Sequence, residues 1–414
     1  MIFKNKKHLL PLAIIGVMFF VIGFGVGISG FLIPALKDAL ELTNAQSYLV
    51  IAGVYSAFVV FGMPAGFLVK KIGYKKSMTI AFLVMAFGMY LFVPSSKISS
   101  FPLFLVALFV GGIGNTILQA SVNPYVTILG DKDKAIVRIS FMGIMNKIAW
   151  WLGPLFLSLF IDLNNVKIND IIFPFYIVTV VLIIMSVFVY FAPLPEVKAE
   201  GEGEEEDGFE KELDYSLKKT SILQFPHLIL GAIAIFFYVG VEALPMVSII
   251  DFAKITFGDI NNLAGYSKYV TIGLVLGYIF GVIAVPKYIS QKRVLILFTI
   301  IGIISTILLM YMPSDKVFYT LILVSFANSL MWPAIWPLAI ADLGKFTKIG
   351  SSILVMGIVG GAIIPLIFGY LVDFISGASN GDITHSYQMS YFIMIPSYAY
   401  ILFFAIKGYK IRIK

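Results

Sequence analysis

The chain has 414 residues, of which 59% are hydrophobic and 13% charged, with a net charge of +7 and a mean hydropathy of +0.96. Soluble domains carry about 25% charged residues, so this chain lacks the polar residues needed to cover a soluble body. It contains no cysteine, and its His8, His227 and His385 are far apart. Disulfides, cysteine chemistry and a clustered metal motif are therefore not expected.

Long apolar runs dominate the chain from its beginning to its end. Residues 172–192, for example, include no charged side chain. A run of about 20 apolar residues crosses the hydrocarbon core as a helix, and continuous apolar runs favour helices over strands. The sequence predicts an all-α integral membrane protein with 12 transmembrane helices, spans 1 to 12, at 9–36, 46–69, 77–95, 102–129, 138–162, 171–192, 224–254, 263–286, 293–312, 316–343, 350–374 and 386–407.

Basic residues predict the orientation of these spans. The apolar run of span 1 is too long for a signal peptide, and we interpret it as a retained helix. Of the 30 Lys and Arg residues, 23 fall on the side of the two termini, six on the opposite side and one, Lys147, within a span. This bias predicts cytoplasmic termini in a bacterial inner membrane. It also accounts for the basic charge, so no nucleic acid is expected as a partner.

The spans divide into two halves of six. Residues 195–222 form the longest polar stretch and include the acidic run 202–207, which is typical of a solvated cytoplasmic linker. We therefore expect an N-terminal half at 1–194 and a C-terminal half at 223–414. The segment from Asn123 to Asp162 is similar, with small gaps, to that from Trp336 to Asp373, and such repeated halves are common in secondary transporters.

Several motifs carry a resemblance to a known family. Residues 66–76, GFLVKKIGYKK, are similar to the loop motif of the major facilitator superfamily, with Lys70 in place of the usual Asp. Residues 119–130, QASVNPYVTILG, and residues 238–242, YVGVE, resemble segments of the fucose and glucose/galactose permeases of that superfamily. Residues 328–333, NSLMWP, and residues 342–361 resemble that family's signature in spans 10 and 11.

The resemblance implies the major facilitator fold, with two pseudo-symmetric six-helix halves. It also implies uptake of a monosaccharide or close relative driven by H⁺ or Na⁺. Some fucose-type members have an Asp in span 1 and a Glu in span 4 that handle the proton. Those positions here are Gly30 and Gln119, neither of which can titrate. The proton pathway of those members therefore cannot simply be transferred to this chain.

Two charges fall near the middle of a span, Lys147 in span 5 and Glu242 in span 7. Placing a charged side chain at the centre of the membrane costs roughly 2.5–3.5 kcal/mol on insertion scales, so we treat both residues as candidates for a functional role. They could form a salt bridge that fixes the fold, or they could bind substrate or ion in a polar cavity. We expect Glu242 to couple transport to a cation, because a carboxylate can ligate Na⁺ or take up a proton. Lys147 would donate to sugar hydroxyls, or to the carboxylate of an acidic sugar.

The remaining candidates for sugar binding are amides and aromatic side chains. Amides both donate and accept hydrogen bonds, as sugar hydroxyls require, although they could instead bond neighbouring helices. Aromatic faces could pack against sugar C–H bonds, or simply against other helices. Besides Lys147, the predicted substrate-binding residues are Gln119, Asn115, Asn123, Asn146, Trp151, Tyr238, Asn328 and Trp332.

The leading hypothesis is a secondary active transporter that imports a hexose-like sugar by cation symport. Transport of an acidic or amino sugar, uncoupled sugar diffusion and a sugar-binding membrane sensor are alternatives. No paired carboxylates or nucleophile–base set indicates an enzyme. We expect no cofactor beyond the coupling ion, and a monomer with the lipid bilayer and a sugar as its partners.

Overall fold

The computed structural model describes residues 9–129, 135–195, 219–258, 262–285, 288–343, 346–378 and 382–412. Within these ranges the chain is helical and has no strand. The acidic run of the predicted linker, at 202–207, lies outside the described residues. The division into 1–194, 195–222 and 223–414 stays a prediction.

Each of the twelve predicted spans contains a helix, and most ends fall within a few residues of the predicted limits. The twelve are α1 (Leu9–Ala39), α2 (Leu49–Ile72), α3 (Tyr74–Lys97), α4 (Phe101–Ile128), α5 (Ala135–Ser158), α6 (Ile172–Phe191), α7 (Pro226–Phe257), α8 (Ser267–Ala284), α9 (Gln291–Tyr311), α10 (Val317–Ser329 and Met331–Ile340), α11 (Thr347–Met356 and Gly360–Ala378) and α12 (Ile383–Ser390 and Met394–Ile406). Shorter helical turns lie at Asn44–Ser47, Ile168–Ile171, Ile222–Gln224, Leu263–Tyr266, Gly357–Val359, Tyr391–Ile393 and Gly408–Lys410.

Within the part of the chain that the structure describes, eleven of these segments are long and apolar enough to span a membrane by length and composition. The exception is α5, which carries Arg138 and Lys147. Apolar side chains are exposed along the outer faces of the helices, as a protein in contact with lipid tails requires. On α6 they include Val180, Val181, Ile183, Ile184, Val187 and Phe188.

Two helices are interrupted for identifiable reasons. α10 breaks at Leu330, three residues before Pro333, whose ring lacks the N–H that a continuous helix would use. α11 passes through a 3₁₀ turn at Gly357–Val359. There Gly360 packs so closely on α7 that an added Cβ would lie 1.7 Å from the carbonyl oxygen of Phe236. A side chain at this position is therefore incompatible with the observed contact.

The helices alternate in direction and define two faces of the bundle. The termini face is the one at which α1 begins and α12 ends, and the far face is the opposite one. Within the first six helices, α4 packs on α2 and α3, and α5 packs on α1; within the last six, α10 packs on α8, and α11 and α12 pack on α7. The two sets meet where α5 contacts α8, α2 contacts α11 and α1 contacts α7.

Candidate functional site

The two mid-membrane charges form an ion pair across the interface between the two sets of helices. Lys147 Nζ on α5 lies 3.1 Å from Glu242 Oε1 on α7, and the two side chains are only 6% and 9% exposed. Glu242 Oε1 has no partner with hydrogen-bond angles among the described residues, so the contact is an ion pair by distance. Two buried charges that face each other offset part of their desolvation cost.

Aromatic side chains surround this pair. Lys147 Nζ lies 3.5 Å from the centroid of the Trp150 ring, which places the ammonium between a carboxylate and an indole face. Tyr238 on α7, Tyr278 on α8 and Tyr55 on α2 are all close enough to Glu242 to interact with its charge. The carboxylate therefore sits among groups contributed by four helices.

Tyr238 connects the ion pair to a row of aromatic rings that leads towards the termini face. Its ring centroid is 6.0 Å from that of Trp332, which in turn is 5.1 Å from that of Trp336. Both Trp residues line a cavity, together with Asn123 and Ile139 from the opposite set of helices. The structure thus brings Tyr238, Trp332 and Asn123 to one continuous region beside the central pair.

The other predicted amides are engaged in bonds between or along helices. Asn146 donates to the carbonyl oxygen of Phe19 at 3.0 Å. Asn328 is fully buried, donates to the carbonyl oxygen of Val241 and accepts from the hydroxyl of Tyr398, both at 2.7 Å. Gln119 donates to Asn115 one turn away at 3.3 Å. These bonds match the structural alternative for amides, and the sugar-binding prediction for them stays untested.

Trp150 and Trp151 both lie one turn beyond Lys147 on α5. Their indole N–H groups are buried and have no acceptor among the described residues. Buried polar groups are normally hydrogen-bonded, so these two unpaired indole donors, one turn from Lys147, are candidate contacts for a polar ligand.

Sequence reasoning selected Trp151 and missed Trp150, Tyr278 and Tyr55. The spacing of three residues from Lys147 was the available signal for Trp150, since residues at i and i+3 are neighbours on a helix. No sequence signal could have joined Tyr55 or Tyr278 to Glu242, because they come from other helices.

Gly30, where some fucose-type members have an Asp, lies against α7. An added Cβ at Gly30 would be 3.3 Å from the carbonyl oxygen of Met246 and 3.4 Å from Cα of Val247. This is tighter than most real contacts, so a larger residue would push α1 away from α7. The position serves here as a close contact between the two sets of helices.

A polar network joins the two sets at the far face. Lys37 Nζ on α1 lies 3.2 Å from Asp251 Oδ2 on α7 and donates to Asn44 Oδ1 at 2.8 Å. The hydroxyl groups of Tyr48 and Tyr387 are 2.7 Å apart, and that of Tyr387 also donates to Asp251 at 3.2 Å.

Two further contacts extend this far-face network. Asp373 on α11 accepts from the amide of Asn44 and, at 3.0 Å, from the backbone N–H of Ala45. Lys254 on α7 pairs with Asp38 on α1. The network therefore bridges α1 and α2 to α7, α11 and α12.

Contacts near the termini face are made mainly by small and apolar residues. Added Cβ atoms at Gly62 and Gly66 on α2 would lie 2.8 Å from Cγ of Met356 and 2.6 Å from Oγ of Ser352, both on α11. Gly143 on α5 packs equally closely on the ring of Tyr278 on α8. The two sets of helices thus touch near both faces and at the central ion pair.

Comparison with known proteins places this arrangement in a family. Residues 15–397 match the model of the Major Facilitator Superfamily. The chain is 32% identical to the glucose/galactose transporter of Brucella abortus biovar 1 (strain 9-941), over 98% of this chain and 96% of that protein. It is 30% identical to the putative glucose/galactose transporter of Helicobacter pylori (strain ATCC 700392 / 26695), over 98% of each chain.

A solved structure has the same fold. The crystal structure of the Escherichia coli fucose:proton symporter superposes with a TM-score of 0.71, at 22% identity, over 97% of this chain and 98% of that one. The family match, the two relatives at or above 30% identity and the shared fold agree with one another. This chain is a multi-pass membrane protein that belongs to the major facilitator superfamily of transporters and, within it, to the fucose and glucose/galactose permease family.

Proposed function

We propose that this chain is a secondary active transporter that imports a hexose-like monosaccharide together with a cation, Na⁺ or H⁺, by alternating access. The observation that carries the proposal is the buried Lys147–Glu242 pair, which joins the two sets of helices at mid-membrane. A charge pair in that position changes its environment whenever the two sets separate, so binding there is linked to opening and closing.

The surroundings of the pair suit a sugar. Glu242 Oε1, which is ion-paired with Lys147, and the indole nitrogens of Trp150 and Trp151 are buried and have no hydrogen-bond partner among the described residues. Sugar hydroxyl groups can donate to the carboxylate and accept from the indoles. Aromatic rings of Tyr238 and Trp332 offer flat apolar faces for the sugar C–H bonds. The names of the two glucose/galactose relatives support the same substrate class.

Glu242 is the proposed coupling residue. Its carboxylate is buried on α7 and faces the opposite set of helices, and the acid positions of spans 1 and 4 are occupied by Gly30 and Gln119. A desolvated carboxylate can be neutralised by a cation or a proton. The fucose:proton symporter with the same fold is, by its name, coupled to protons.

The same proposal places the termini face in the cytoplasm of a bacterial inner membrane, on the basis of the distribution of Lys and Arg. The natural chain has no cysteine, so single cysteines can report the orientation. We expect a membrane-impermeant maleimide to label Lys167→Cys at the far face of intact spheroplasts, but to label Lys410→Cys only after lysis. Both positions are exposed. The reverse labelling pattern would invert the orientation.

The function is tested with purified protein in liposomes. Uptake of D-glucose, D-galactose and L-fucose is measured with inward H⁺ and Na⁺ gradients imposed separately. We expect at least one sugar to accumulate above equilibrium with at least one gradient. Glu242→Gln should reduce accumulation at least tenfold, but it should retain exchange of labelled for unlabelled sugar. Accumulation by Glu242→Gln equal to that of the natural protein would disprove the coupling role, and the absence of gradient-driven uptake of any sugar would disprove symport.

A second candidate substrate is an acidic sugar, which the ammonium of Lys147 favours. An anionic sugar would have to replace Glu242 as the partner of that ammonium, since the two groups already lie 3.1 Å apart. Competition by D-galacturonate against uptake of D-galactose measures this directly. Stronger competition by the uronate than by D-galactose itself would favour the acidic substrate.

A further inference from the structure

The Lys147–Glu242 pair also bears on which cation is used. We propose that the coupling ion is H⁺ and not Na⁺, that Glu242 carries the proton, and that Lys147 is a fixed resident cation that excludes Na⁺ from the carboxylate. This inference rests on the proposed cation symport and specifies the ion, which that proposal leaves open.

The first argument is that the position a Na⁺ ion would need is already occupied by a positive charge. Lys147 Nζ lies 3.1 Å from Glu242 Oε1 and packs on the Trp150 ring, so the ammonium is held on two sides. A Na⁺ ion bound to the same carboxylate would lie within a few ångströms of this ammonium. Repulsion between like charges is strong where little solvent screens it, and both side chains are more than nine-tenths buried.

The second argument concerns the groups around Glu242. Tyr238 on its own helix, Tyr278 on α8, Tyr55 on α2 and Lys147 on α5 are the titratable side chains that face it. Tyrosine hydroxyl groups are mainly donors towards a carboxylate, and none of these groups adds a negative charge. Among the described residues, no group of three His, Asp or Glu side chains gathers at any position. The site thus supplies a single anionic ligand, which suffices for a proton.

The other charged side chains on the elements packed against α7 lie at the two faces of the bundle. Among the described side chains, those at the far face include Lys37, Asp38, Lys268, Asp373 and His385, with Asp251 and Lys254 on α7 itself. Those at the termini face include Asp342, Lys407, Lys410 and Arg412, with His227 on α7 itself. They are separated from Glu242 by several helical turns, so Lys147 is the charged group that faces its carboxylate.

The charge of the pair then accounts for coupling. In the empty transporter the ammonium and the carboxylate neutralise each other, so the two sets of helices can close over them. When Glu242 takes a proton from water at the far face, Lys147 becomes an unpaired buried charge, and closing over it is unfavourable. A bound sugar offers oxygen atoms to the three N–H donors of Lys147 and removes this penalty. A protonated transporter without sugar therefore does not close readily, and sugar binds best once protonation of Glu242 has freed the N–H donors of Lys147.

The net transfer is one proton and one neutral sugar from the far face to the termini face. The proton leaves Glu242 to water at the termini face, and the ion pair with Lys147 re-forms. One positive charge thus crosses the membrane with each sugar. The sign and size of this current distinguish the scheme from symport of a proton with an anionic sugar, which would move no net charge.

Ion selectivity of the natural protein provides the direct test. Liposomes containing the purified protein are given an inward H⁺ gradient at constant Na⁺, or an inward Na⁺ gradient at constant pH, with labelled D-galactose, D-glucose or L-fucose as the probe. We expect the H⁺ gradient to raise accumulation at least tenfold with an inward positive current, and the Na⁺ gradient to have less than a twofold effect. Accumulation driven by Na⁺ would overturn the inference and leave cation symport standing. Failure of both gradients would instead overturn cation symport itself.

Replacement of the resident cation tests the role of Lys147. In Lys147→Gln the carboxylate loses its counter-charge, and a Na⁺ ion no longer meets an ammonium beside it. We expect Na⁺ to stimulate sugar uptake by this variant at least fivefold. Lys37→Gln removes the ammonium of the far-face pair and should remain insensitive to Na⁺. A Lys147→Gln variant that accumulates sugar with H⁺ alone, at the level of the natural protein, would disprove the role of Lys147.

A variant that is neutral at both positions distinguishes loss of coupling from loss of folding in the single variant. Lys147→Gln with Glu242→Gln retains no buried charge at the site. Its two Gln side chains can still bond sugar hydroxyl groups. At raised sugar concentration we therefore expect exchange of labelled for unlabelled sugar, with no accumulation, no current and no response to Na⁺. Proton-driven accumulation by this double variant would show that the proton is carried elsewhere and would overturn the inference.

Discussion

Two of the lysine–carboxylate pairs that join the two sets of helices, one at the far face and one at the centre, differ in their surroundings. At the far face Lys37 lies 3.2 Å from Asp251, and at the centre Lys147 lies 3.1 Å from Glu242. The Lys37 side chain is 19% exposed, compared with 6% for Lys147, whereas Asp251 and Glu242 are 4% and 9% exposed. The two pairs thus differ in the exposure of the ammonium, and both carboxylates are buried.

The two pairs also differ in the number of alternative partners. Lys37 is shared with Asn44, and Asp251 also accepts from Tyr387, so each charge keeps a polar neighbour if the other is lost. Among the described residues, the ammonium of Lys147 contacts Glu242 and the face of the Trp150 ring, with no amide oxygen comparable to that of Asn44. The far-face ammonium therefore keeps a polar partner if its carboxylate is neutralised, whereas the central ammonium becomes an unpaired buried charge.

Neutralising each carboxylate tests this difference and should give the largest effect. Glu242→Gln is expected to reduce accumulation to equilibrium, a loss of at least tenfold, because the central charge can no longer bind a cation. Asp251→Asn keeps an oxygen that can accept from Lys37 and Tyr387, and Lys37 keeps its bond to Asn44. We therefore expect a change in uptake of less than about fivefold. Equal losses in the two variants, measured in the same liposomes, would remove the distinction.

The sequence predicted the twelve helices and the two central charges because both depend on local features. Span length follows from runs of apolar residues, and Lys147 and Glu242 stood out because charges within such runs are rare. α5 is helical as predicted, but with Arg138 and Lys147 it is not among the eleven described segments that are apolar enough to span a membrane. The structure adds that the two charges lie within 3.1 Å of each other, which the sequence left open.

The far-face network could not be predicted from the sequence. Tyr48 and Tyr387 are separated by 339 residues along the chain, and each is an ordinary aromatic residue near the end of a span. Asp251 and Asp373 also lie near span ends, where charged residues are common. Likewise, whether Trp150 or Trp151 lies against the ammonium of Lys147 depends on how α5 is rotated about its axis. These features depend on how helices dock, which hydrophobicity alone does not specify.

A disulfide across the termini face tests whether the far-face network around Lys37 can separate while the termini face stays closed. An ideal Cβ at Gly66 lies 3.7 Å from Cβ of Ser352, within the range of about 3.5–4.5 Å found in disulfides. In the naturally cysteine-free chain, Gly66→Cys with Ser352→Cys should cross-link α2 to α11 on oxidation. We expect transport to fall about tenfold and to recover with a reductant, whereas binding of sugar from the far face persists.

Single-cysteine variants are the controls for the cross-link, since they should not respond to oxidant. Persistent binding from the far face would mean that the network around Lys37 separates while the termini face remains closed. Full transport by the oxidised double variant, with the cross-link confirmed by mass, would contradict the assignment of this α2–α11 contact as one that must open.

The smallest expected effect comes from a single hydroxyl in the far-face network. Tyr387→Phe removes the bonds to Tyr48 and Asp251 but keeps the ring stacked on Phe252, whose centroid is 5.0 Å away. A net hydrogen bond contributes about 0.5–1.5 kcal/mol, so opening of the far face should become about two- to tenfold more favourable. Tyr391→Phe is the matched control, because its hydroxyl bonds Ser248 within the same set of helices.

Opening of the far face is measured as the rate at which a maleimide labels Ala45→Cys, introduced into each variant. Ala45 lies one turn from Tyr48, whereas a cysteine at Tyr48 itself would alter the network. A faster labelling rate in Tyr387→Phe than in Tyr391→Phe would show that the far-face network holds the closed arrangement, and equal rates would assign that role to the central pair alone.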